Sequence, residues 1–301
     1  MKRRILAMVM TIAMGTMMFA GCGAEESSDP ADATPKTETV EATESEAAGT
    51  DDATESAGEM GPILSKIKES GKLVVGTASG YPPYEFVDIT SADQAVIGVD
   101  MELAQAIADE LGVELEIQDM TFSSLLASIP AGTIDMAIAG VSPTDERKET
   151  MDFSDSYLFA DQVVIINKAD ADKYKTFDDL KGATLAAEKS TTQEALVQEL
   201  LPDNTLVSLE HVPECILELK NGKVDGVVVE SIVGEQYILA DDTLQFADAT
   251  FDRQKESAIV MDKGNEDLLE IVNKVIKENQ DAGNFDTWVT KYSEIVVNNA
   301  Q

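Results

Sequence analysis

The sequence is poor in the side chains that do chemistry. Its 301 residues hold one His, two Cys and one Trp. Two Cys and one His fall short of the four ligands of a structural Cys/His zinc site, and a site of three ligands plus water would need all of them; they also leave little room for a Cys–His nucleophile pair. Bases are scarce as well: 22 Lys+Arg against 57 Asp+Glu give a formal charge of −35 and a pI near 4.1. Such a chain has too little positive surface to neutralise nucleic-acid phosphates or to rest on anionic lipid. There is no Gly-x-Ser-x-Gly elbow, no P-loop and no Gly-x-Gly-x-x-Gly. Paired acids are so abundant that they say little about acid–base catalysis. What is present is a 44% hydrophobic content, too high for a wholly disordered chain, and a length that suits one or two domains.

The first sixty residues read as address and tether. Lys2, Arg3 and Arg4 precede an apolar run from Ile5 to Ala20, short for a membrane span of about 20 residues. The run ends in Phe19-Ala20-Gly21-Cys22, small residues before a Cys. This resembles the bacterial lipobox, with Phe19 where Leu is usual, and implies a signal peptide over 1–21 and a lipid on the Cys22 thiol. An ordinary secretory peptide with an incidental Cys is the alternative. Residues 22–60 form an acidic tether: between 23 and 59 stand twelve acids and one base, Lys36, with no periodic apolar positions. Such a segment cannot bury a core, and like charges extend it. The body that follows carries the remaining −27. With Cys22 lipidated, Cys215 has no disulfide partner and reads as a small buried residue of a helix.

The body alternates strand and helix. Short β runs are expected at 73–77, 113–117, 134–139, 163–166, 184–187, 206–209, 224–229 and 259–261. Helical spacing marks 98–112, 123–129, 193–201, 213–221, 232–240, 266–279 and 286–296. That alternation argues for α/β units with mostly parallel sheets. Gly132-Thr133-Ile134-Asp135 and Gly222-Lys223-Val224-Asp225 repeat one grammar ninety residues apart. Two lobes of similar plan follow, and ligands of open α/β sheets bind beyond the carboxyl ends of strands. Facing strand ends make a cleft.

Four segments carry candidate contacts. Tyr81, in a loop stiffened by Gly80, Pro82 and Pro83, presents a flat face to a ligand or forms a surface turn. Ser142 follows a strand end at Gly140, and Thr144 caps a short helix bearing Arg147. A guanidinium fork suits a carboxylate; the alternative is a surface Arg paired with Asp145 or Glu149. Thr191 and Thr192 precede Gln193 and Glu194 as an N-cap does. Capping explains one Thr, and exposed helix N–H groups suit a ligand carboxylate. Glu230 closes a strand and either pairs with an ammonium or caps a helix.

In this order the segments resemble the solute-binding proteins of polar amino-acid ABC importers, extracellular family 3. The resemblance rests on Gly76-Thr77, Tyr81 to Phe86, Gly98 to Ala104, Ile134 to Gly140, Thr144 to Arg147, Met151 to Asp155, Gly222 to Asp225 and Asp281 to Asp286. It implies a two-lobed α/β fold of the type II periplasmic-binding-protein kind, with two hinge strands near 161–168 and 257–263. Lobe 1 would be 61–163 and 258–301, and lobe 2 164–257. It implies a polar L-amino acid ligand, ABC permease subunits as partners, no cofactor, no metal and no catalysis. The extracytoplasmic membrane face of a Gram-positive cell would suit the lipid anchor. By position, Arg147 would grip the α-carboxylate, helped by the N–H groups of Ser142 and Thr192. Gly140, Ser142 and Glu230 would hold the α-ammonium, and Tyr81 and Phe122 would pack on the side chain. Ala78 stands where the family often has Asp, and Glu230 where it usually has Asp. Ala78, Glu85 and Glu188 are candidate specificity positions; Glu188 faces a cationic or amide side chain, or solvent. Glutamine, arginine, lysine, histidine and cystine are all admissible. The same fold also serves a cyclohexadienyl-dehydratase-like enzyme and extracytoplasmic amino-acid sensors.

Overall fold

The computed structural model describes residues 60–299. The expected signal peptide, Cys22 and nearly all of the expected tether lie outside the described residues. Along the chain come α1 (Pro62–Ser70), β1 (Lys72–Thr77), the two-residue strands β2 (Phe86–Val87) and β3 (Val96–Ile97), α2 (Val99–Leu111), β4 (Glu114–Asp119), α3 (Phe122–Ser128) and β5 (Met136–Val141). Then follow the one-turn α4 (Asp145–Lys148), β6 (Met151–Phe153), β7 (Leu158–Asn167), β8 (Thr184–Glu188), α5 (Thr192–Leu200), β9 (Thr205–Leu209), α6 (Val212–Lys220) and β10 (Gly226–Glu230). The chain closes with α7 (Ser231–Ala240), β11 (Leu244–Phe246), β12 (Gln254–Asp262), α8 (Glu266–Asp281) and α9 (Asn284–Asn299).

The strand order is β4-β1-β5-β12-β7-β10-β8-β9. Read from either edge it is the same plan. A first strand lies between its second and third, all parallel, and an antiparallel long strand flanks the third. The repeated Gly-x-x-Asp grammar has a common structural purpose. The Asp135 carboxylate accepts the Val74 N–H of β1 at 2.8 Å, and the Asp225 carboxylate accepts the Thr184 N–H of β8 at 2.8 Å. Each Asp ties the turn entering the third strand to the first strand of its own half.

The halves are joined by β7 and β12, which run antiparallel at Leu158–Asp161 against Ser257–Gln254. The sequence places the crossing a few residues later in each strand. Beyond it, β12 pairs with β5 and β6, while β7 pairs with β10 and β11. Helices cover both faces. On α2, Val99, Leu103, Ile107 and Leu111 recur every fourth residue and are buried, in one core with Leu268, Val272 and Val275 of α8. This apolar stripe is what turns the helix onto the sheet. On the opposite face, Leu125 and Ile129 pack with Ile134, Ala137 and Val260. Cys215 is fully buried in α6, and burial pushes its thiol up to about 12, so it is inert at neutral pH.

Candidate functional site

The cleft lies where the carboxyl ends of β1 and β5 face that of β8. Strand β5 is buried throughout and delivers Gly140 and Ser142 to the opening. The Gly140 N–H donates to the carboxylate of Asp100, in the first turn of α2, at 2.9 Å, and the Tyr157 hydroxyl donates to the same oxygen at 2.9 Å. Asp100 is fully buried, and burial raises its carboxyl to about 6 against the pull of these donors. The Gly98–Asp100 segment, read in the sequence as a motif, therefore fixes the strand end from behind.

Two residues past Ser142, the Thr144 hydroxyl accepts the Arg147 N–H at 3.3 Å and starts α4. The Arg147 guanidinium does not pair with Asp145 or Glu149. It donates from Nη1 to the Ser142 carbonyl and from Nη2 to the Ser190 carbonyl, both at 2.9 Å, and lies 5.5 Å from the centre of the Phe122 ring. Two of its five N–H donors are spent on carbonyls that fix its plane; three remain. Burial pulls its pKa down to about 10, which leaves it charged at neutral pH. Among the described residues it meets no carboxylate.

The opposing wall comes from β8 and α5. Ser190 holds a left-handed φ of 65°, a conformation that costs a non-glycine residue energy and tends to occur where geometry is demanded; its carbonyl is the one that reaches Arg147. Thr191 is the N-cap of α5, accepting the Glu194 N–H at 3.2 Å. That frees Thr192, the first helical residue, whose hydroxyl lies 3.4 Å from that of Ser142 across the cleft. The N–H groups of Thr192 and Gln193 have no acceptor within the helix. Gln193 Nε2 reaches the Tyr81 hydroxyl at 3.4 Å, and the Tyr237 hydroxyl donates to the Gly80 carbonyl at 2.8 Å.

These walls close on a narrow cavity of about 10 Å³. Tyr81, Phe122, Gly140, Ser142, Arg147 and Thr192 line it, as do the three specificity candidates Ala78, Glu85 and Glu188. Nine of the ten sequence candidates in the body thus surround one space. The tenth, Glu230, lies behind the lining: its Oε2 accepts from Lys255 Nζ at 2.6 Å, with both side chains almost wholly buried. Its Oε1 is buried without a hydrogen-bond partner. Thr191 and Gln193, from the segment read as an N-cap, line the cavity too, as does Lys255, which was not singled out in the sequence. For Lys255 the placement appears only in the fold. Gln254 to Ser257 alternate exposed and buried, which puts Lys255 on the face of Ser257 and Ile259, inside.

The cavity is polar in an ordered way. Arg147 and the α5 N-terminus make one end electropositive. Elsewhere, Glu85 and Glu188 are buried carboxyls with no ion pair among the described residues. Burial first, then Asp100, pushes Glu85 well above the usual carboxylate range. Burial raises Glu188 to about 8, with Lys255 opposing.

The fold is that of the type II periplasmic amino-acid-binding proteins. The family model of the bacterial extracellular solute-binding proteins, family 3, matches residues 73–295, and the chain belongs to that family. It is 34% identical over 231 residues to the arginine-binding extracellular protein ArtP of Bacillus subtilis, covering 74% of this chain and 88% of ArtP. It is 32% identical over 231 residues to the L-cystine-binding protein TcyJ of Escherichia coli, covering 76% and 85%. The crystal structure of AbpA, an amino-acid ABC transporter substrate-binding protein of Streptococcus pneumoniae bound to L-arginine, superposes with a TM-score of 0.76. Sequence identity is 36%, over 77% of this chain and 99% of AbpA.

Proposed function

We propose that the protein is the receptor of an ABC importer and binds an L-amino acid with a cationic side chain in the interlobe cleft, without chemical turnover. One observation carries the reading. A single cavity holds a guanidinium without a carboxylate partner and, elsewhere on its wall, two buried carboxyls without a cationic partner. An amino acid with a basic side chain supplies the missing charges: its α-carboxylate to Arg147, Ser142 and Thr192, and its side-chain cation to Glu188 and Glu85. Tyr81 and Phe122 pack on the aliphatic part between them. Arginine is favoured by the names of ArtP and of the arginine-bound AbpA; TcyJ is named for cystine, so the family alone does not decide.

In this reading lobe 1 comprises 61–163 and 258–301, lobe 2 comprises 164–257, and closure about β7 and β12 produces the form that docks on the permease. The protein sits on the extracytoplasmic face of the membrane through lipid on Cys22. Thermal unfolding against each L-amino acid tests the ligand class. Arginine and lysine should raise the unfolding temperature most, and glutamine, histidine and cystine less. A response confined to uncharged amino acids overturns the cationic assignment. Prephenate or arogenate incubated with the protein should keep its ultraviolet spectrum; conversion would make the protein a dehydratase instead.

A further inference from the structure

Lys255 occupies a place that a receptor for amino acids would be expected to keep open. It starts on β12 at the crossing of the lobes and lines the cavity beside Gly140 and Ser142. Its Nζ donates to Glu230 Oε2 at 2.6 Å and to Ser257 Oγ at 3.3 Å, and it lies 5.3 and 5.7 Å from the ring centres of Tyr81 and Tyr84. A methyl group built on Gly140 would stand 3.1 Å from that nitrogen. The ammonium is thus wrapped by a carboxylate, a hydroxyl and two aromatic faces, the surroundings that suit a bound cation. A ligand whose carboxylate rests on Arg147 and Ser142 carries its α-ammonium two bonds further on. Toward Gly140, two residues back along β5, that ammonium meets Lys255 and the carboxylate Lys255 holds.

We propose that Lys255 is a resident cation of the ammonium subsite, and that an amino acid binds by taking Glu230 from it. This rests on the amino-acid reading of the cleft. A carboxylate as buried as Glu230 is costly when unpaired, and Lys255 supplies its counter-charge whenever no ligand does. The second oxygen of Glu230, buried and without a partner, is where the incoming ammonium gains its first hold. The exchange sets affinity: every ligand with an α-ammonium pays for displacing a charge of the same sign, and a ligand without one does not.

Calorimetric titration of the purified protein and of Lys255→Met with two probes decides the matter. The probes are L-arginine and 5-guanidinopentanoic acid, which is arginine without its α-amino group. The variant should bind L-arginine at least about tenfold more tightly than the wild type, because like-charge repulsion is gone and Glu230 is released. Its affinity for the deamino probe should not rise, and its ligand-free unfolding temperature should fall. Lys255→Gln, which keeps a hydrogen-bond donor and loses the charge, gives the same comparison should the Met variant fold poorly. Equal or weaker binding of L-arginine by both variants overturns the proposal. So does an equal gain for both probes, which would mean that Lys255 only fills space. If the wild type binds no amino acid and the variant does, Lys255 blocks the subsite instead of yielding Glu230, and the proposed exchange is overturned. If neither binds any, both it and the receptor reading fail.

Discussion

At the scale of single residues, the account turns on ionisable groups in the cleft that have no ion-pair partner among the described residues. Arg147 is the first. Its plane is set by two backbone carbonyls, one from each side of the cleft, so a ligand carboxylate meets a fork already oriented. Arg147→Ala should weaken amino-acid binding on the order of a hundredfold or more, measured by calorimetry; undiminished affinity would remove it from the site. Glu188 is the second. Burial raises its carboxyl to about 8, so the folded protein holds a proton there that the unfolded chain releases near pH 4.5. By linkage the ligand-free fold is favoured by this group below pH 4.5 and loses that contribution as pH rises toward 8. A cationic ligand reverses the preference and drives the proton off. Binding should strengthen from pH 6 to 8 and release protons, read as a heat that depends on the ionisation enthalpy of the buffer. In Glu188→Gln both effects should shrink; if they persist unchanged, Glu188 does not face the ligand cation. The sequence displayed Arg147 and Glu188 because each stands at or shortly after a strand end, Arg147 in α4 beyond β5 and Glu188 as the last residue of β8. It did not display Lys255, whose pairing with Glu230 joins residues from two strands that meet only in the folded protein.

At the scale of elements, the site is positioned by loops pinned to neighbouring helices. Gly98 is the tightest of these points. It has φ of 144°, and a Cβ there would stand 1.9 Å from the Tyr84 carbonyl oxygen, because the Val99 and Asp100 N–H groups donate to the carbonyls of Pro83 and Tyr84. That junction lays the Tyr81–Glu85 turn on the start of α2. Gly98→Ala must push the two backbones apart and should cost more than about 3 kcal/mol, seen as a lower denaturant midpoint with an unchanged slope; an unchanged midpoint would contradict it. Long elements with a clear period were legible: α2, α6, α8 and the buried strands β5 and β10 all emerge from apolar spacing. Strands β2, β3, β6 and β11, of two or three residues, were not. They exist only because a partner strand lies beside them, which no local pattern records. Helix α1 was passed over although Pro62 at its start and Gly71 past its end are the expected punctuation; its nine residues stand next to the acidic tether, whose composition masks the change.

At the scale of the whole molecule, the two halves repeat one plan and meet along two crossing strands, so a ligand between them touches both. Arg147 to Ser190, Ser142 to Thr192, Tyr81 to Gln193 and Gly80 to Tyr237 are all contacts from one half to the other. In the proposed reading a ligand strengthens this closed arrangement, and only its differential affinity for the closed form can do so. The repeated Gly-x-x-Asp grammar made the two-lobed plan readable from the sequence. The position of the crossing was less so, because the crossing segments, Leu158–Asp161 and the wholly polar Gln254–Ser257, lie ahead of the apolar runs that mark the strands in the sequence. The central claim is that the cleft is a receptor for an amino acid with a basic side chain. Its most direct test is titration of L-arginine, with L-glutamine in parallel, into protein unfolded and refolded to strip any bound solute. The account predicts one arginine per chain, held more tightly than glutamine, with about 2.7 kcal/mol of added stability at a hundred times the dissociation constant. Saturable binding of glutamine with no heat from arginine would contradict it.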